Sequence, residues 1–160
     1  MLFRSAAEGV KLTRLGHRYS NEKVIVKNLP PGNYELTIDG AVIGSWTDAQ
    51  LSTGIEIEEN PATPQYLQAA KVAAMNKERN EKFYLPIRGQ YSQLKGRQRN
   101  ITALERNQGP DLPKAKEEFD AWHKEMRSKV DNLLSDARAA EVAIYDAAQP
   151  KPHQYSLKKK

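Results

Sequence analysis

The 160-residue sequence has no cysteine, and it has no long apolar run. The missing cysteines exclude a disulfide framework, a zinc–thiolate site and a cysteine nucleophile. No apolar stretch approaches the roughly 20 residues that cross a bilayer, so we expect no membrane-spanning segment. The length suits one ordinary domain or two very small ones, which excludes a large enzyme scaffold such as a complete α/β barrel.

The sequence also lacks the patterns of the common catalytic and nucleotide-binding sites. It has no Gly-x-Ser-x-Gly elbow, no glycine-rich phosphate loop, no His-Glu-x-x-His and no calcium loop. Asp120 and His123 have the Asp-x-x-His spacing in which some serine hydrolases carry their acid and base. Both lie inside one amphipathic helical pattern, and no serine stands in an elbow context. We interpret them as helix-surface residues, with Asp120 paired to Lys124 one turn later.

The remaining metal-ligand candidates are scattered or solvated. His17, His123 and His153 fall on different predicted elements, so we interpret them as isolated histidines. Glu56 and its acidic neighbours Glu58 and Glu59 stand at the end of a predicted strand, where carboxylates are usually solvated. We therefore predict no catalytic residue, no cofactor and no metal ligand in this chain.

What the sequence does contain is first a β pattern. Residues 10–15, 23–27, 34–38, 41–46 and 55–57 alternate or are β-branched, as in half-buried strands. Pro30 to Asn33 is a turn signal, and Asp39-Gly40 is among the best two-residue hairpin turns. In the strand at 34–38, Tyr34, Leu36 and Ile38 share one face. A helical turn is expected at 47–51. These features predict a small antiparallel β module over residues 1–60.

Helical periodicity follows. Thr63 before Pro64 predicts a helix start, the alanine-rich run to Phe83 propagates it, and Pro86 with Gly89 is expected to end or kink it. After the breaker cluster 107–111, one apolar stripe steps by three or four residues. Its members are Phe119, Trp122, Met126, Val130, Leu133, Ala137, Ala140 and Ile144.

A stripe this long needs a partner, and the nearest candidate is the first helix, with Leu67, Ala70, Ala74 and Tyr84. We predict an α+β fold: the small antiparallel β module, then a long antiparallel helical hairpin over residues 61–149 with a basic excursion over 86–110, then an extended basic tail over 150–160. Within the excursion, residues 90–106 are predicted to form either a weaker helix or an irregular segment. The hairpin could also be covered by the β module or by a second copy of the chain.

Positive charge is concentrated in the middle of the chain. The net charge is +5, but residues 61–109 hold nine Lys and Arg against three acids. Phe83, Tyr84 and Tyr91 are interleaved with them, a combination that could bind nucleic acid or another polyanion. No nucleic-acid fingerprint is present, so a solvated basic face, or one docked on an acidic neighbouring domain, is the favoured interpretation.

The order of several segments carries a resemblance. Residues 26–40 have the form V-x-x-L-x-x-G-x-Y-x-L-x-I-D-G, and Gly54-Ile55-Glu56-Ile57 and a helix with Asn76 to Phe83 follow. Residues 150–155 end the series as Pro-x-Pro-His-x-Tyr. This succession, over residues 20–157, resembles the C-terminal region that follows the catalytic domain in bacterial SGNH (GDSL-type) hydrolases.

The resemblance implies an accessory role. Such hydrolases use a Gly-Asp-Ser nucleophile block, oxyanion-hole Gly and Asn residues, and a late Asp-x-x-His. The first three blocks are absent, and the late block precedes the β module in that family, so Asp120 and His123 are not mapped onto it. We expect a non-catalytic fragment of an exported ester or carbohydrate-ester hydrolase that packs on its catalytic domain or supports a homodimer. Met1 to Ser5 also matches the translated end of a common sequencing adapter, so we expect a longer natural reading frame.

Two alternatives stay open at this point. A basic binding module would show salt-dependent binding that weakens when Lys95, Arg97 and Arg99 are neutralised. A free-standing structural protein would fold into a defined oligomer without any ligand.

Overall fold

The structure, a computed structural model, describes residues 22–160 and has the predicted α+β fold. The chain forms two compact units. The first contains the described residues up to Ala70 together with Pro150–Lys160, and the second is Lys71–Gln149. The predicted strand at 10–15 and His17 lie outside the described residues.

The first unit is the β module. Strands β1 (Lys23–Val24), β2 (Asn33–Ile38), β3 (Ala41–Thr47), β4 (Ile55–Glu56) and β5 (Tyr155–Lys159) form one two-stranded and one three-stranded antiparallel sheet, with a short helix α1 (Asp48–Thr53) after β3. The expected strand at 23–27 is thus confirmed only for its first two residues. The Asp39-Gly40 turn is confirmed: both residues have positive φ, 51° and 83°, as a type I′ turn requires.

Alternation along β2 builds the core of this module. Tyr34, Leu36 and Ile38 share the buried face, with 5%, 2% and 0% of their surface exposed. Ile43, Leu51, Ile55 and Ile57 complete the buried cluster, and Trp46 packs against it. Gly44 lies directly under the Trp46 ring. A Cβ at position 44 would come within 2.4 Å of ring carbon Cη2, so this close contact requires glycine.

The segment predicted as an extended basic tail, residues 150–160, is part of the sheet, because residues 155–159 form strand β5. β5 pairs with β2 along five residues, from Tyr34 opposite Lys159 to Ile38 opposite Tyr155, and Leu157 packs against the core. The three-stranded sheet has the order β3-β2-β5, so the central strand β2 depends on a segment more than a hundred residues later in the chain. The lysines of β5 lie on an edge strand, where charge discourages pairing with another chain.

The helices are longer and more continuous than predicted. α2 (Pro64–Arg79) runs into a π-helical segment (Asn80–Tyr84) and then into α3 (Leu85–Arg106). The Thr63 hydroxyl accepts the Tyr66 N–H at 3.2 Å, which confirms the predicted helix start. Of the two alternatives for residues 90–106, a weaker helix or an irregular segment, the structure has the helix, because these residues belong to α3. Pro86 lacks an N–H, and the preceding π segment, closed by Leu85 N–H to the Asn80 carbonyl, accommodates it.

The second unit contains the predicted hairpin, with a different partner for the apolar stripe. α4 (Leu112–Ala148) follows the breaker cluster and buries Met126, Val130, Ala137 and Ile144. Met126 and Val130 pack with Ile87 and Leu94 of α3. The expected partner residue Leu67 is instead 57% exposed. α3 takes this role because only a short loop, residues 107–111, separates it from α4.

Candidate functional site

The polar cluster that joins most distant parts of the chain lies in the β module. Asp39 Oδ2 is 2.7 Å from His153 Nδ1, and Asp39 Oδ1 accepts the Gln154 N–H at 2.8 Å. The Asp39 N–H in turn donates to the Gln154 carbonyl at 2.9 Å. We call this group, Asp39 with His153 and the Gln154 backbone, the latch. It ties the β2–β3 turn to the segment that leads into β5.

A second set of polar contacts lies next to the latch. Tyr155 Oη donates to Glu22 Oε1 at 3.1 Å and accepts from Gln65 Nε2 at 2.6 Å. Burial and the Glu22 carboxylate both raise the pKa of the Tyr155 phenol, so it stays protonated and can donate. Gln65 stands in the first turn of α2, so this set connects β5 to the start of the helices.

The chemistry of the latch is that of a structural clamp. A histidine beside a carboxylate could serve as a general base only if a nucleophile or substrate faced its other nitrogen. Within residues 22–160, no hydroxyl group hydrogen-bonds His153, and only 13% of its side chain is exposed. The described geometry therefore supports closure of the module.

The latch predicts a pH-dependent stability of the β module. The hydrogen bond from the Gln154 N–H, and after it that from His153, hold the pKa of Asp39 below its usual value. A carboxyl whose folded pKa is depressed stabilises the fold above its unfolded pKa of about 4, and this stabilisation is lost as the pH falls through the folded pKa. We expect Asp39→Asn, which tolerates positive φ, to destabilise the module at about pH 6 and to differ less from the native chain at about pH 2.5.

Urea unfolding followed by Trp46 fluorescence in a Trp122→Phe background measures this difference. A gap between the two proteins that stays the same at both pH values would contradict the role given to Asp39.

The Asp-x-x-His pair of the sequence does not form a dyad. Asp120 is exposed on α4, while the half-buried His123 ring stacks on Phe119 with centroids 5.5 Å apart. No hydrogen bond joins the two side chains among the described residues, and the predicted ion pair between Asp120 and Lys124 is not formed either.

The other candidate ligands are equally dispersed. His123 belongs to the helical unit and His153 to the β module. Residues 22–160 hold no group of three or more His, Asp or Glu side chains that could bind a metal ion. In the same range, no helix combines the length and the apolar character that a bilayer crossing requires.

The helix α3 places cations that are close in the sequence on different sides. The Arg97 guanidinium lies 4.5 Å from the centre of the Trp122 ring, where it covers the ring and makes a cation–π contact. Lys95 and Arg99, its neighbours in the sequence, are exposed on the other side of the helix. The three cations that the sequence groups together therefore do not form one surface.

The contact between Asp39 and His153 is not predicted from the sequence, although both residues belong to the motifs that carry the resemblance. Asp39 was interpreted only as a turn residue and His153 only as part of a terminal motif. The sequence signal for this contact lies in the two motifs of the resemblance. Asp39 comes from the Asp-Gly of the first motif, and His153 comes from the last motif. Glu22 and Gln65 had no comparable signal.

Comparisons with known proteins add a fold likeness. No protein-family profile matches the sequence, and no curated protein matches it. The chain is similar to a solved structure described as a gut microbial diltiazem-metabolizing enzyme, with a TM-score of 0.66 and 24% identity over 96% of this chain. This chain spans 37% of the length of that enzyme chain. At this identity the likeness shows the fold.

Proposed function

We propose that this chain is the non-catalytic C-terminal part of an SGNH/GDSL-type hydrolase that acts on esters or carbohydrate esters. The observation that carries the proposal is the latch. Asp39 closes the V-x-x-L-x-x-G-x-Y-x-L-x-I-D-G segment, His153 belongs to the Pro-x-Pro-His-x-Tyr ending, and they meet at 2.7 Å although 114 positions separate them. The two segments that carry the resemblance thus act as one structural unit.

The fold likeness supports the same proposal. A region of this fold occurs within an enzyme chain of which it makes up about a third, 37%, so the remainder of that chain has room for a catalytic domain. This accessory part would pack on its own catalytic domain, and the parent would be an exported protein. The nucleophile and the oxyanion hole would come from the catalytic domain, because neither block occurs in these 160 residues.

The DNA upstream of codon one tests the parentage. We expect the same reading frame to continue upstream and to encode a Gly-Asp-Ser block within a complete hydrolase domain. A stop codon shortly before Met1 in the natural gene would contradict the proposal and favour a free-standing structural protein.

A further inference from the structure

The outward face of α3 carries a straight line of positive charge. At 3.6 residues per turn, Arg88, Lys95, Arg99 and Arg106 fall within about 40° of one another around the helix axis, and they span about 27 Å along it. All four side chains are exposed. We call this set the basic stripe.

None of the four cations of the basic stripe has an acidic partner in the described part of the chain. Glu105 is the only acid of α3, and it pairs with Lys116 of α4 at 2.7 Å, away from the stripe. Between the cations lie only small or polar side chains, among them Ser92 and Thr102. Four like charges on one face repel each other, so the stripe is a surface that an anionic partner would stabilise.

The surroundings of the basic stripe have the composition of a protein interface. Tyr91 and Leu85, which flank it on either side, are 49% and 54% exposed. Lys95, Arg99 and Arg106 also border a depression of about 410 Å³. Arginine and tyrosine are enriched where proteins bind each other, whereas single-stranded nucleic acid requires a series of aromatic platforms. Within residues 22–160, Tyr91 is the one exposed aromatic beside the stripe, so the composition favours a protein partner.

We infer that the basic stripe is the docking surface for an acidic face of the catalytic domain in the parent hydrolase. This inference rests on the proposed function and specifies which surface of the accessory part makes the contact. Complementary charge selects the partner and its register along α3, and Tyr91 and Leu85 supply the apolar contact beside it.

Lysine reactivity in the full-length gene product tests the inference, with Lys95 as the reporter. A brief treatment with an amine-acetylating reagent is compared between the full-length protein and the 160-residue chain, and each lysine is quantified by mass spectrometry. We expect Lys95 to react about fivefold more slowly in the full-length protein at low salt, and to regain its reactivity near about 1 M salt, where charge pairs are screened. Lys124 and Lys129 on α4 are internal controls and should not change.

A triple variant keeps the reporter while removing most of the charge. Arg88→Gln, Arg99→Gln and Arg106→Gln together should restore the reactivity of Lys95 in the full-length protein. The matched control is Lys124→Gln, Arg127→Gln and Arg138→Gln, which removes three exposed cations from α4 and should leave Lys95 protected.

The failures of the two proposals can be distinguished. If the gene encodes no hydrolase domain, the proposed function is wrong and this inference fails with it, before any labelling. If the domain is present but Lys95 is equally reactive in both proteins, or stays protected in the triple variant, the stripe is not the docking surface and the proposed function stands. Protection of Lys95 in the 160-residue chain by a single-stranded oligonucleotide of about 20 nucleotides at physiological salt would overturn the inference in favour of nucleic acid.

Discussion

Ending the chain after Gln149 is expected to unfold the β module. The truncation removes β5, which pairs with β2 along its five residues, and it removes the latch contact between His153 and Asp39. At about 0.5–1.5 kcal/mol net for each ladder hydrogen bond, with the burial of Leu157 added, the loss is about 4 kcal/mol or more. A module this small has a total stability of the same order, so it should lose its cooperative transition.

Fluorescence of Trp46 during urea unfolding, in a Trp122→Phe background, reports this result. The matched control is Lys158→Gln with Lys159→Gln and Lys160→Gln, which removes the charge of the terminal segment but keeps the strand; its unfolding midpoint should stay close to that of the full chain. A truncated chain that unfolds at the midpoint of the full chain would show that β5 is only an appendage, as the sequence suggested.

Met126→Ala is expected to destabilise the helical unit by about 3 kcal/mol, because it opens a cavity where α3 and α4 pack together. Met126 is 3% exposed and contacts the cluster that includes Val130 and Ile87. Trp122 packs against the same cluster, so its fluorescence in a Trp46→Phe background follows this unit alone.

Val142→Ala is the matched control on the same helix. Val142 is 61% exposed, so its truncation should change the free energy of unfolding by less than about 0.5 kcal/mol. Equal effects of the two substitutions would mean that the face containing Met126 is not the buried face of α4.

The local features of the β module were predictable from sequence because each has a local physical cause. The alternation of Tyr34, Leu36 and Ile38 determines the buried face of β2, and Asp39-Gly40 determines the turn. The pairing of β2 with β5 was not predictable in this way. Residues 155–159 have little apolar character apart from Tyr155 and Leu157, and the long sequence separation leaves no periodic signal.

The helical unit shows where single-residue rules fail. Pro86 and Gly89 predict the end of the helix or a kink in it. A π-helical segment before Pro86 instead accommodates the residue that lacks an N–H, and α3 continues to Arg106. The sequence leaves residues 90–106 open between a weaker helix and an irregular segment, so the first helix is the nearest candidate partner for the apolar stripe of α4. In the structure, Met126 and Val130 of the stripe pack against α3 instead. The stripe itself was predictable, since Met126, Val130, Ala137 and Ile144 are all buried.

The candidate site was predictable only as a pair of separate motifs. Asp39 and His153 both belong to motifs that carry the resemblance, but their contact depends on the β2–β5 register, which the sequence does not encode locally. The same limit applies to the basic segment. Arg97 covers Trp122 on one side of α3, whereas Lys95 and Arg99 lie on the other side. This separation can be predicted only if residues 85–106 are known to form one helix.

The most direct test of the proposed accessory role is the rate of p-nitrophenyl acetate hydrolysis by two proteins, the full-length gene product and the 160-residue chain. The account predicts turnover by the full-length protein and only the buffer rate for the 160-residue chain, because this chain has no nucleophile block and its Asp120 and His123 are not joined. Turnover by the 160-residue chain that His123→Ala abolishes would contradict the account, since it would place an active site inside the part proposed to have none.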